Sequence, residues 1–430
     1  MSGAAGNPAG AGEAPQAASG LTIERRARGR CEGWIKMKTE VVAISRPELG
    51  LTDEEDAALR RAGAVLKEGG LVAFPTETVY GLGGDGLNRE SSKKIYAAKG
   101  RPSDNPLIVH ICKFEDIFEI AQAVPETARK LADAFWPGPL TMILPKSARV
   151  PAETTGGLDT VAVRFPSHPV ARKLIEYGGG YVAAPSANLS GKPSPTEAVY
   201  VVEDMDGRVD MIIDGGAVGI GLESTIVDLT AGRPQILRPG FVTEEMLSAV
   251  LGKVDTDVTI MKPDSGRAPR APGMKYRHYA PQGELVLVEG EPGRVAAYIN
   301  EQTAADKARG FKTGVIAVSE TAGRYRADAV KCLGSRSDEE SIARGLFTAL
   351  RQFDDEKIDK IYSESFPDRG LGQAIMNRLL KAAGHRVVRL CPTAQSYREQ
   401  GALTDAYGFP QAGNQNRNGT GGNDYDSDRM

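Results

Sequence analysis

Between residues 71 and 390, short apolar and β-branched runs alternate with stretches of helical period, and the alternation fails over one long interval, residues 252–283. That pattern restricts the chain to α/β architectures with two sheets, one on each side of the interval. On the first side LVAF (71–74), TMILP (141–145), TVAVRF (160–165), YVAAP (181–185) and MIIDGG (211–216) read as strands. Thr52 and Glu55 form a capping-box pattern ahead of Leu59, Ala62 and Leu66 on one helical face, with Gly69-Gly70 as the stop. Further helices are predicted around 126–135 and after Pro169. On the second side ELVLVEG, GVIAVS, AVKCLG, KIDKIYSE and RVVRL are strands separated by helices. One of those helices opens at a Ser337–Glu340 capping box and carries Ile342, Leu346 and Leu350 on one face. The expected arrangement is a large α/β domain over residues 37–247, a linker over 248–283, and a smaller doubly wound parallel sheet over 284–392.

Residues 1–36 are rich in Gly, Ala and Pro, and residues 393–430 end in GNQNRNGTGGNDYDSDRM; both are too poor in apolar side chains to offset the entropy of ordering and are expected to be disordered tails. Lys plus Arg number 53 against 56 Asp plus Glu, a formal charge of −3, so any nucleic-acid contact must rest on a local patch. Cys31, Cys112, Cys332 and Cys391 are far apart and form no CxxC pair, which argues against a disulfide framework or a Cys-rich zinc site and fits a reducing cytoplasm. No apolar run approaches the ~18 residues of a membrane span.

The chemistry-bearing segments lie at predicted strand ends. GLGGDG (81–86) matches GxGxxG, but PTETVY separates it from the strand and the next helix begins near Asn88, so a glycine-permitted turn is expected in place of a dinucleotide fingerprint. PTETVYGL (75–82) carries hydroxyls suited to a pocket rim. In KGRPSDNPL (99–107), Lys99 and Arg101 follow a helix that ends at Gly100, where they either cap its carbonyls or serve, on an exposed Pro-stiffened loop, as an anion site. APSANLSGKPSPT (184–196) places Ser186, Asn188, Ser190 and Ser194 in one loop after a strand, as turn formers or as ligand contacts. His110, Arg164, Ser224 and Arg238 are further candidates at strand ends. No GxxxxGK[ST], GxSxG or HExxH is present, so a phosphate site would be a non-P-loop one.

Taken in order, PTETVYGLGGDG, KGRPSDNPLIVHI, WPGPLTMIL, GLDTVAVRFPSHP, APSANLSGKPSPT, GLESTIVD and ILRPG resemble the YrdC-like family, and PGMKYRHYAP with GLGQAIMNRLLKAAG resembles its two-domain threonylcarbamoyl-AMP synthases. The resemblance covers about residues 40–392 and implies a YrdC-like catalytic domain with a Rossmann-like C-terminal domain. It further implies synthesis of L-threonylcarbamoyladenylate and pyrophosphate from L-threonine, bicarbonate and ATP with Mg2+, for tRNA modification through downstream threonylcarbamoyl-transferase proteins. By the same resemblance Lys99, Arg101, Ser186 and Asn188 are catalytic and ATP-binding; Thr76, His110, Arg164 and Ser224 lie near threonine; Thr160, Ser194 and Arg238 lie near the nucleotide. Tyr276 and Tyr279 match a segment over the active site, and the linker is expected to act as a lid. Two other functions compete: a carbamoyl-transfer enzyme related to hydrogenase maturation, whose zinc fingers would need CxxC pairs, and an RNA-binding module.

Overall fold

The computed structural model describes residues 38–45, 50–257, 260, 271 and 278–390. Both expected tails, Tyr276 and most of the 252–283 interval lie outside the described residues.

The first sheet contains β1 (Glu40–Ala43), β2 (Val72–Phe74), β3 (Gly81–Asp85), β4 (Ile108–His110), β5 (Leu140–Pro145), β6 (Thr160–Arg164), β7 (Val182–Ala183), β8 (Met211–Asp214), β9 (Thr225–Asp228), β10 (Gln235–Arg238) and β11 (Asp255–Thr256). Its order is β1-β8-β2-β3-β7-β4-β6-β5-β9-β10-β11, with parallel and antiparallel pairs mixed. The accompanying helices are α1 (Asp53–Lys67), α2 (Arg89–Lys99), α3 (Ile117–Ile120), α4 (Glu126–Phe135), α5 (Pro169–Tyr177), α6 (Ala198–Met205) and α7 (Glu244–Leu251). The Thr52/Glu55 capping box is formed, and Leu59, Ala62 and Leu66 are fully buried. Helix α7 runs through the expected domain boundary at residue 247.

GLGGDG is not a turn. Residues 81–85 are strand β3, antiparallel to β2, and Gly81 and Gly83 make room for the buried Phe74 ring: a Cβ on Gly83 would lie 2.9 Å from that ring and 2.9 Å from Val182. Small residues here let the ring sit against the sheet backbone, a packing requirement that resembles a nucleotide fingerprint in sequence only.

The second sheet is parallel throughout, with β12 (Glu284–Glu289), β13 (Thr313–Ala317), β14 (Ala329–Cys332), β15 (Lys360–Glu364) and β16 (Val387–Arg389) in the order β14-β13-β15-β12-β16. Helix α8 (Pro292–Ala308) contributes Val295, Ala296 and Ile299 to the core on one face of this sheet. Helices α9 (Glu339–Asp355) and α10 (Gly370–Ala382) pack on the other, so the doubly wound expectation holds. The N-cap of α9 is Asp338, accepting from the Ser341 backbone N–H, in place of the expected Ser337–Glu340 box. A carboxylate one residue later satisfies the same orphan donors.

The core under α9 and α10 is shared with the first domain: Val79, Leu222 and Tyr279 pack with Leu346, Phe347 and Ile375. At this seam Gly221 has φ +84°, and a Cβ there would lie 2.5 Å from Arg344 Cα. Both the backbone conformation and the close approach require glycine. Gly221→Ala is therefore expected to destabilise the protein by about 1–3 kcal/mol, seen as a lowered Tm; an unchanged Tm would contradict this account of the seam.

Candidate active site

Strand register assembles the first half of the site. His110 at the end of β4 is registered with Arg164 at the end of β6, Arg164 with Thr141 at the start of β5, and Leu140 with Thr225 at the start of β9. One sheet edge thus gathers His110, Arg164 and Ser224, whose Oγ lies 2.8 Å from Thr141 Oγ1. Thr160 lies at the other end of β6, registered with Pro145, apart from the His110–Arg164 end. Four residues of extended strand separate it from Arg164 by roughly 13 Å, so the two ends of β6 serve different parts of the surface.

The second half comes from loops. Lys99, Arg101, Ser186, Asn188 and Ser194 line the same cleft, with Thr76 on the β2–β3 loop. Lys99 is not on an exposed loop. It is the last residue of α2, 2% exposed, and its Nζ donates to the carbonyls of Ser186 and Asn188. Ser190 N returns a bond to Lys99 O at 2.9 Å, so the helix terminus and the 186–190 loop hold each other. Desolvation, followed by the neighbouring Arg101 charge, pulls the Lys99 pKa well below the ordinary lysine value. Arg101 stiffens its own loop through Asn105 O, Asn105 Oδ1 and Pro106 O. Within the serine loop, Ser186 Oγ donates to Asn188 Oδ1, and Asn188 Nδ2 donates to Leu189 O and Lys192 O. Thr76 is buried in a local turn, its Oγ1 donating to Val79 O at 2.6 Å.

Arg164 is 4% exposed, and its Nε is buried with no hydrogen-bond partner, while Nη2 lies 2.7 Å from Glu77 Oε1. Buried donors are normally satisfied, so an unpaired one lining a cleft marks a place for an acceptor. Burial, then the Arg164 charge, depresses the His110 pKa to about 3, which makes this imidazole neutral at pH 7. Arg238, 6% exposed, donates to Ser224 O and Ser224 Oγ, and burial lowers its pKa to about 10.

The described end of the linker also lines the cleft. Tyr279 stacks at 5.1 Å on Phe347 of α9, and His278 presents a buried Nε2 without a hydrogen-bond partner. Tyr279 therefore serves both in packing between domains and in walling the cleft. Sequence reasoning missed Glu223, which accepts from Ser194 Oγ at 2.6 Å. Burial raises its pKa, but Arg378, Arg238 and the Ser194 bond outweigh that and hold it below the ordinary value. Its neighbour Ser224 carried the signal; an acidic residue beside it carried none.

A hydroxyl-lined, cation-bearing cleft at the strand ends of a mixed α/β sheet, closed on one side by His278 and Tyr279 of the linker, defines a class of anion-binding proteins without a P-loop. Residues 64–240 match the Sua5/YciO/YrdC family model, described as "Telomere recombination", and residues 242–384 match the model described as "Threonylcarbamoyl-AMP synthase, C-terminal domain". The chain is 50% identical over 343 residues to the threonylcarbamoyl-AMP synthase of Bacillus subtilis, an alignment covering 79% of this chain and 97% of that protein. It is likewise 50% identical over 336 residues to that of Pyrococcus abyssi, with 78% and 97% covered. The crystal structure of P. abyssi Sua5 complexed with L-threonine superposes with a TM-score of 0.77 at 47% identity, covering 82% of this chain and 100% of that one. The chain belongs to the two-domain threonylcarbamoyl-AMP synthase family.

Proposed function

We propose that this protein is an L-threonylcarbamoyladenylate synthase, and the observation that carries the reading within the family is the buried, unpaired Arg164 donor at the cleft. A planar guanidinium with an unsatisfied N–H suits the carboxylate of an amino acid. With the carboxylate held there, the threonine amine attacks bicarbonate with loss of water, or carbon dioxide with loss of a proton, to form a carbamate. A carbamate oxygen then attacks the α-phosphorus of ATP, the bond to the β-phosphate oxygen breaks, and pyrophosphate leaves. Negative charge grows on the phosphoryl oxygens and the leaving group, and we assign its stabilisation to Lys99, Arg101 and the hydroxyls of Ser186, Ser190 and Ser194, all of which line the cleft. Neutral His110 adds no second positive charge beside Arg164, so it shapes the threonine side without competing for the carboxylate.

Among the described residues no cluster of His, Cys, Asp or Glu is arranged as a metal cage, and Glu77 and Glu223 are each ion-paired. Mg2+ would enter as part of the Mg2+–ATP substrate, beside Lys99 and Arg101, and would help to neutralise charge on the phosphates. The product, a mixed anhydride, is activated for acyl transfer to a nucleophile; its use in tRNA modification through a downstream threonylcarbamoyl-transferase is what membership of the family implies. Among the described residues no helix is long and apolar enough to cross a membrane.

The reading is tested with carbon-13 bicarbonate: the product should contain threonine, one labelled carbon and AMP. AMP joined to threonine without the labelled carbon would overturn it. Arg164→Lys should raise the KM for threonine roughly 10- to 100-fold, the cost of a charge-assisted hydrogen bond of about 1.5–3 kcal/mol, while the KM for ATP moves little. Equal effects on both would move Arg164 to the nucleotide side.

A further inference from the structure

Two arginines of the C-terminal domain are among the most deeply buried side chains of the protein: Arg351 on α9 is 2% exposed and Arg378 on α10 is 0% exposed. Neither belongs to the cleft lining, and both end on groups that do or that hold those groups in place. The Arg351 guanidinium donates from Nε and Nη2 to Pro193 O at 3.0 and 2.6 Å, and from Nη2 to Asp204 Oδ2 at 2.7 Å. The same Asp204 oxygen accepts the Leu189 N–H at 3.1 Å, and its other oxygen accepts Lys192 Nζ at 2.7 Å. One ion pair thus ties both ends of the 189–193 turn. Arg378 donates from Nε to Glu223 Oε2 at 2.9 Å and from Nη1 to Pro239 O at 2.8 Å, and Glu223 in turn holds Ser194.

We propose that Arg351 and Arg378 are positioning residues through which the C-terminal domain fixes the nucleotide-side loop, residues 186–196, in its working geometry. A buried carboxylate is tolerable only while paired. Asp204, whose carboxylate is held below its ordinary pKa by Arg351 and Lys192 against the upward push of burial, and Glu223 both take a guanidinium partner from the second domain. Docking of that domain and order in the loop are therefore one event. Lys99 grips the loop from the α2 side through Ser186 O and Asn188 O, and the arginines grip it from the other. The Ala280 N–H of the linker bonds to Gly191 O at 2.9 Å between those grips.

The assignment of an effect on ATP rests on the proposed synthase activity, and the test separates the two. Full-length Arg351→Met, Arg378→Met and Arg351→Lys are compared with Arg344→Met, which removes a different contact across the seam, Arg344 Nε to Gly219 O at 2.8 Å. Amide hydrogen exchange of residues 186–196 is read together with the KM values for ATP and threonine. The Met variants should accelerate exchange at Leu189 and Ser190 by roughly tenfold or more while β5 and β6 keep wild-type protection, and should raise the KM for ATP far more than that for threonine. Arg351→Lys, which keeps the charge for Asp204 but loses the fork on Pro193, should recover part of both and keeps the test open should a Met variant fail to fold. Unchanged exchange in 186–196, or the same change in Arg344→Met, overturns the proposal. A wild-type protein that forms no threonylcarbamoyl-AMP overturns the functional reading instead, and loop exchange still decides the clamp.

Discussion

Lys99→Met is expected to reduce turnover by at least about a hundredfold, the equivalent of roughly 2.7–4 kcal/mol of lost transition-state stabilisation. The substitution keeps an unbranched apolar stem and removes the terminal cation. Because Nζ donates to Ser186 O and Asn188 O in a site that is 2% exposed, the change also leaves two buried carbonyls short of a donor, at about 1–3 kcal/mol of stability. The two effects are separable: a small fall in Tm should accompany a large fall in kcat. A kcat within a few-fold of wild type would show that Lys99 only props the loop. The burial of this lysine is what couples stability to catalysis here, since a solvent-exposed cation would have affected rate alone.

The second large effect is on stability in mild acid. Burial is the main cause that depresses His110 and His278 to about 3, assisted by the Arg164 charge for the first and the Arg101 charge for the second. In the unfolded chain both titrate near 6.5. Above pH 6.5 neither state binds these protons and the two residues contribute no slope. As pH falls below 6.5 the unfolded state takes up protons that the native state refuses, so stability drops by about 1.4 kcal/mol per pH unit for each histidine until the folded values are reached. The paired carboxylates Glu223 and Asp204 are also lowered from their ordinary values of 4.5 and 3.8, but their contribution is lost below pH 4.5, outside the pH 7 to 5 interval. Wild-type Tm should therefore fall clearly from pH 7 to pH 5, and the fall should shrink in the His110→Gln, His278→Gln double variant. An equal fall in both would contradict the burial of the two imidazoles.

The strands and helices were legible because burial imposes period: Val72–Phe74 and Leu140–Leu144 are buried runs, and Ile342, Leu346 and Leu350 recur on one helical face. The loops of the site were legible because hydroxyls, amides and cations cluster there between prolines and glycines. Which end of a strand a residue occupies was not legible: β6 carries Arg164 at one end and Thr160 at the other, and only pairing with neighbouring strands sets which end meets His110. Glu223 and Arg378 lie 155 positions apart, and such a partnership is written in the tertiary fold alone. A partial signal did exist for the arginines. Arg351 falls four residues after Phe347, and Arg378 three after Ile375, so each sits on an otherwise apolar helical stripe. A charge in that position is costly unless a buried partner awaits it. GLGGDG shows the converse: Gly81 and Gly83 answer to the Phe74 ring, and Gly84 to Ile95 and Leu71, so packing accounts for a pattern that reads like a nucleotide fingerprint.

The central claim is that one cleft joins threonine, bicarbonate and ATP. It is tested most directly by pyrophosphate release from ATP by the full-length protein, with threonine and bicarbonate each added or withheld. The account predicts release that requires both, with Lys99→Met reducing it to background. Release that proceeds equally without threonine or without bicarbonate would contradict it.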